Sequence, residues 1–271
     1  MVVLRRDGGG NWLDSDWTGP FPQASPEAPF SYTLFGATVW AGPQSAFWTD
    51  QDLVPKLKAA KAKWPPDPYF EWGRSAVKEL SEQAVEFTLP DSPITGLKLV
   101  KTYRITGPGH VTMAITATNT RDRVVERDLW PDVHIDPRAT VRVPLADKEP
   151  LRFTPINGDN PPAMIREGDH AVWPGEAAGG AEWSAKAFVH AARQQIFCSR
   201  DDDRLTMSGS LDDIKSVHPE HAPVEIYRSG GSRPRLEAEM HGALRALKPG
   251  ESMQFTLSFE LSESPTTRPA K

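Results

Sequence analysis

The stretch from Ala222 to Leu261 constrains the fold more than any other part of the chain. Its last run sets Met253, Phe255, Leu257, Phe259 and Leu261 against Gln254, Thr256, Ser258 and Glu260. Strict alternation is the period of a strand with one face in a core and one in water, and a helix would repeat every 3.6 residues instead. Two more strand-like runs precede it. Ser229-Gly230-Gly231 and Lys248-Pro249-Gly250-Glu251 supply the punctuation that turns require.

The middle run carries the chemistry. Leu236, Ala238 and Met240 would point one way, and Arg235, Glu237, Glu239 and His241 the other. Same-face neighbours on a strand lie about 6–7 Å apart. At that spacing Glu237 and Glu239 repel, so one carboxyl is pushed up while Arg235 pulls it back. A carboxyl tuned in this way suits a general base toward a sugar hydroxyl. The other reading is a face that is simply solvated, because shifted carboxylates also occur in structural networks.

Short strand-like runs continue through the chain. Glu82–Leu89, Leu97–Ile105, Val111–Thr118, Val124–Ile135, Thr140–Leu145, Lys186–Ala191, Gln195–Ser199 and Leu205–Ser208 all read as strands between turn signals. Residues 1–31 read as irregular, 31–48 as a strand and buried loop, and 150–182 as loop-rich. One helix is expected, near 52–63, opened by Asp50 or Asp52 and stopped by Trp64-Pro65-Pro66. The fold expected is all-β: a large antiparallel sandwich occupying residues 1–261 as one domain, with a flexible tail over 262–271.

Composition narrows the partners. The net charge is −5 and no Lys/Arg-rich stripe exists, so nucleic acid is not an expected partner. A single cysteine, Cys198, rules out an internal disulfide framework. No apolar run reaches membrane-spanning length. No secretory signal opens the chain, which leaves a cytoplasmic location, or a periplasmic one if the N-terminus is trimmed. No metal or cofactor is expected. His218 and His221 form a His-x-x-His pair that lacks a third ligand, and Asp201-Asp202-Asp203 reads as a solvated turn. Nine tryptophans either fill a core or stack on sugar rings. Those proposed to line a site are Trp40, Trp48, Trp72 and Trp130.

Three motifs resemble the aldose 1-epimerases (galactose mutarotases). Leu236-Glu237-Ala238-Glu239, followed by Leu247-Lys248-Pro249-Gly250-Glu251, resembles the Leu-Glu-x-Gln signature that carries that family's catalytic base. It places Glu237 at the base and Glu239 where the family has Gln. Thr118-Asn119-Thr120-Arg121-Asp122-Arg123 resembles the turn that precedes the family's catalytic histidine. The histidine's register falls on Asp132, with His134 two residues on and on the same strand face. Phe35-Gly36-Ala37-Thr38-Val39 resembles the opening of the sugar-contacting loop, but its Asn-Arg pair reads Gln44-Ser45. A second family histidine has no counterpart, since no histidine precedes His110.

Only Glu237 of four functional positions is kept. The pattern resembles uncharacterised bacterial domains of the galactose mutarotase-like superfamily more than true mutarotases. Trp40-Ala41-Gly42-Pro43-Gln44-Ser45 and Trp64-Pro65-Pro66-Asp67 are similar to that group as well. The resemblance implies a concave, carbohydrate-facing sheet. It implies Glu237 as base, Asp132 or His134 as acid, and Trp40, Gln44, Trp48, Trp72, Trp130 and Glu239 around the ligand. The alternative is an interaction sandwich with a decayed sugar site, in which the tryptophans are buried.

Overall fold

A computed structural model describes residues 4–5, 10–14, 22–28, 36–146, 151–158, 160–175 and 180–263. Much of the stretch read as irregular, residues 31–35, and residues 264–271 of the expected tail lie outside the described residues.

Two antiparallel sheets pack face to face. The first runs β1 (Ala37–Gly42), β6 (Val125–Ile135), β15 (Arg235–Met240), β14 (Val224–Ser229), β11 (Ser184–Val189) and β8 (Arg152–Asn157), with β16 (Arg245–Leu247) also paired to β6. The second runs β2 (Ala76–Ser81), β3 (Ala84–Thr88), β4 (Leu97–Gly107), β5 (His110–Asn119), β17 (Ser252–Glu263), β13 (Asp203–Gly209), β12 (Gln195–Arg200), β7 (Thr140–Pro144), β10 (His170–Trp173) and β9 (Ile165–Glu167). The fold is the antiparallel β-sandwich that the alternating runs demand.

The core lies between the sheets and is built from the alternation itself. On β17, Met253, Phe255, Leu257 and Phe259 are buried. They meet Leu236, Ala238 and Met240 of β15 and Val133 and Ile135 of β6 in one apolar cluster. Asp132, His134, Glu237 and Glu239 therefore project from the other face of the first sheet.

Two expectations need correction. The helix is Pro55–Ala59 (α1), shorter than 52–63. No side chain caps it: Asp52 instead pairs with Lys58 at 2.6 Å. Lys61 then turns left-handed at φ 46° and ends it. The loop-rich section 150–182 also holds β8, β9 and β10. Every described residue of β9 is exposed, as is most of β8, so neither strand carries an alternating apolar signal.

A second helix, α2 (Pro68–Trp72), was not foreseen. Its cues are local: Asp67 caps it by accepting from the Tyr69 N–H at 2.9 Å, and Pro68 opens the first turn. Asp67 is itself buried and also accepts from the hydroxyls of Ser92 and Thr95. That anchorage fixes the helix against the first sheet. Gly73 then closes it, and a Cβ there would lie 2.1 Å from the Tyr69 carbonyl oxygen.

Candidate functional site

Strand register determines which side chains meet. Glu237 on β15 lies opposite His134 on β6 and opposite Tyr227 on β14, and Tyr227 lies opposite Lys186 on β11. One step along, Asp132, Glu239 and Glu225 form a row across β6, β15 and β14. Directly opposed residues sit about 5 Å apart, so this second row sets three carboxylates side by side. Such a row persists only if cations are placed among them.

Those cations are present. Lys186 Nζ lies 2.7 Å from Glu225 and 2.8 Å from Glu239. Burial alone would discharge this ammonium, but the two carboxylates outweigh it and hold its pKa above the usual lysine range. Glu239 also accepts from the Trp130 indole N–H at 2.7 Å. His134 supplies the second cation. Its Nε2 is 3.3 Å from Asp132 and its Nδ1 is 3.9 Å from Glu237. Burial works against its charge, but Asp132, Glu237 and Glu71 raise its pKa to about 9.

These groups form the floor of a cleft of about 640 Å³ over the first sheet. Glu237 remains 13% exposed there. Burial, then the charge on Asp132, raises its pKa above the ordinary carboxylate range. Burial also raises Glu239, against the pull of Lys186. His134 and Lys186 pull against these shifts. The polar face of β15 is thus no solvated ladder, since Glu239 is 1% exposed and His241 fully buried.

α2 contributes Glu71 to the cleft lining, a residue that no sequence motif announces. The Trp40 indole N–H donates to its Oε1. Burial raises the Glu71 pKa to about 7. Trp64 also lines the cleft. Neither Glu71 nor Lys186 belongs to a motif. The one cue for Lys186 was a cation on an otherwise apolar strand, and for Glu71 an acid two residues before a glycine that ends a capped turn.

The structure brings together most of the expected residues. Trp40, Gln44, Trp130, His134, Glu237 and Glu239 line the cleft. Asp132 is fully buried behind His134 and does not face the ligand space. Trp48 and Trp72 are corrections. Trp48 is 1% exposed and donates its indole N–H to the Pro65 carbonyl at 2.7 Å, inside an aromatic cluster. Trp72, 5% exposed, turns away from the cleft on α2. Trp40 and Trp130 reach the wall, yet they pack edge to face on each other at 4.9 Å and 84°. Their ring faces are spent on protein contacts.

A second ionic cluster lies farther along the same face of the sheet, buried and outside the cleft lining, with Lys186 bridging its Glu225 to Glu239 of the cleft. His241 Nδ1 lies 3.1 Å from Asp128, and its Nε2 3.6 Å from Glu225. His221 Nδ1 lies 3.0 Å from Glu225, and its Nε2 accepts from the Gln44 backbone N–H at 3.2 Å. His221 therefore meets Glu225 and His241, rather than forming a ligand pair with His218. The two rings stack at 4.0 Å with planes 21° apart. Imidazole lone pairs lie in the ring plane, so near-parallel rings do not aim at one ion. This is a hydrogen-bonded stack, not a ligand set. Glu225 and Asp128 outweigh burial to raise His241 to about 9, while burial lowers His221. One stacked ring is charged and the other neutral.

The family described as Domain of unknown function (DUF4380) matches residues 15–261. No curated protein matches the chain in sequence. Among solved structures, a galactose mutarotase-like protein from Lactobacillus casei superposes with a TM-score of 0.56 at 13% identity, covering 94% of this chain and 91% of that one. A candidate aldose 1-epimerase from Escherichia coli K12 gives 0.51 at 12% identity, over 90% and 82%. A TPR-domain containing protein from Parabacteroides distasonis gives 0.54 at 9% identity, over 98% of this chain and 45% of that one. The fold is that of the galactose mutarotase-like proteins.

Proposed function

The chain belongs to the family described as Domain of unknown function (DUF4380), and we propose that its cleft binds a carbohydrate and interconverts its anomers. One observation carries this reading: a carboxyl and a charged imidazole, 3.9 Å apart, share the floor of a cleft large enough for a sugar. Carbohydrate as the ligand class is also the reading that the mutarotase-like fold favours.

Interconversion needs one proton removed from the anomeric hydroxyl and one delivered to the ring oxygen. Glu237 takes the hydroxyl proton. The C1–O1 bond becomes a carbonyl as the C1–O5 bond breaks, and His134 protonates O5. Rotation about C1–C2 and the reverse transfers close the ring on the other face. Atoms and protons balance without a cofactor. Asp132 touches only His134; it holds the imidazole protonated and oriented. Because Glu237 must be ionised and His134 charged, the rate rises with pH through the titration of the carboxyl and falls as His134 discharges near 9. The two groups are coupled, so the limbs of that bell belong to the pair.

Saturation-transfer NMR of anomeric protons, run on D-galactose, D-glucose and D-mannose, tests the reading. Accelerated exchange with wild type, lost in Glu237→Gln, supports it. Binding without exchange favours a second reading, a module that binds sugar through the polar cleft lining without turning it over. No binding to any sugar removes both.

A further inference from the structure

The cleft is longer than one sugar ring. Its lining comes from six adjacent strands, β1 through β8 in spatial order. Five strand spacings of about 4.8 Å make a groove of roughly 24 Å along the sheet. A six-membered ring of bonds near 1.5 Å measures roughly 7 Å across its hydroxyls.

The lining is also divided by chemistry. Glu71, His134, Glu237 and Glu239 sit toward the β1, β6 and β15 end, with Lys186 marking the boundary. On β11 and β8, around and beyond Lys186, the lining is Ser184, Phe188, Thr154, Ile156 and Asn157, none of them titratable. That end cannot move protons; it offers two hydroxyls, an amide, a phenyl ring and an isoleucine. Ile156 is 57% exposed at the lip, and Thr154 and Asn157 are exposed beside it. An uncovered isoleucine next to hydrogen-bonding groups matches a second sugar ring, which presents an apolar C–H face and a hydroxyl edge.

We infer that the cleft takes a reducing saccharide of two or more rings. This rests on the carbohydrate reading above. The ring with the free anomeric carbon lies over Glu237 and His134, and the next ring lies over Thr154, Ile156 and Asn157. The direction follows from the chemistry. Ring opening requires a free C1 hydroxyl at the acid–base end, and a glycosidic bond through O4 leaves the ring on the side opposite C1. The rest of the saccharide then runs toward β8. No bond of the second ring is made or broken, so its contacts add affinity and not chemistry.

Isothermal titration of the whole chain tests this, with D-glucose and D-galactose set against maltose, cellobiose and lactose. At least one disaccharide should bind about tenfold more tightly than its reducing-end monosaccharide. The double variant Ile156→Ser/Asn157→Ala, made at exposed positions that folding tolerates, should abolish that preference and leave monosaccharide affinity unchanged. A monosaccharide that binds as tightly as every disaccharide overturns the inference but not the carbohydrate reading. So does a variant that keeps the preference or weakens both ligands alike. If none of the five sugars binds, the carbohydrate reading itself falls and takes this inference with it.

Discussion

Two acid–histidine chains cross the first sheet within a few residues of each other. His134 and Glu237 lie on the floor of the cleft, with Asp132 buried behind His134. Asp128, His241, Glu225 and His221 run beside the cleft, buried on the same face of the sheet. Residue types and spacings are nearly the same, and both histidines adjoining β6 carboxylates are raised to about 9. Access separates them. Glu237 keeps 13% of its side chain open to the cleft, while His241 and Glu225 are fully buried. A buried carboxylate–imidazole chain is thus not by itself evidence of catalysis: in the function proposed above only the chain that a ligand can touch carries the chemistry, and the other packs beside it as scaffold.

The largest effects should fall on opposite observables in the two chains. His241→Ala strips the cation from between Asp128 and Glu225, leaving buried charge uncompensated. The expected cost is about 3–5 kcal/mol, a melting temperature lower by roughly 10 °C for a chain of this size. Glu237→Gln should leave the melting temperature within about 2 °C, because a carboxyl raised by burial already resists ionisation and gains nothing from charge. Its exchange rate should drop about 10²–10⁴-fold. If His241→Ala melts like wild type, or if Glu237→Gln costs as much stability as His241→Ala, the division between scaffold and site is wrong.

How much of this was legible beforehand depends on the direction in which information runs. Along a strand, alternation announces faces: Leu236, Ala238 and Met240 inward, Glu237 and Glu239 outward. The face bearing Glu237 could therefore be assigned from period two alone. Across strands nothing local announces register. Lys186 meets Glu225 and Glu239 only because β11, β14 and β15 align, and Glu71 arrives from a helix of five residues. Aromatic content failed for the same reason. Trp48 and Trp72 are as conspicuous in the sequence as Trp40, but which way an indole turns is settled by packing that composition does not encode.

Next in size is the dependence of stability on pH. His134 and His241 have folded pKa values near 9 against 6.5 unfolded, Glu237 near 8 against 4.5, and Glu71 and Glu239 near 7 against 4.5. All five bind protons more tightly when folded. Their stabilisation is complete below the unfolded values and is lost as pH rises through the folded ones. Glu225 and Asp136, held low, act only in acid and leave this window unaffected. The melting temperature should fall between pH 6.5 and 9.5, and His134→Gln should reduce the slope by about a third. A flat profile in wild type would mean that none of these groups holds its proton more tightly when folded, and the symmetry between the two chains would disappear.

The smallest effect concerns a residue that links the buried cluster to the rim of the cleft, as Lys186 links it to the floor. His221 belongs to the buried cluster, yet its Nε2 accepts the backbone N–H of Gln44, which lines the cleft. The neighbouring Ser45 N–H is held by Glu220 at 2.8 Å, so one loop secures the whole Gln44–Ala46 turn. His221→Phe keeps a ring to stack on His241 and removes both nitrogens. Losing two hydrogen bonds should cost about 1–2 kcal/mol. Glu220 would still hold the turn, so ligand affinity should weaken only about threefold, with the exchange rate at saturation unchanged. That split identifies His221 as a positioning residue, since a group in the reaction would lower the saturated rate and a purely structural one would leave affinity intact. Titration calorimetry beside saturated-rate NMR reads the two quantities separately. An unchanged affinity would show that the buried chain packs beside the floor without reaching the rim.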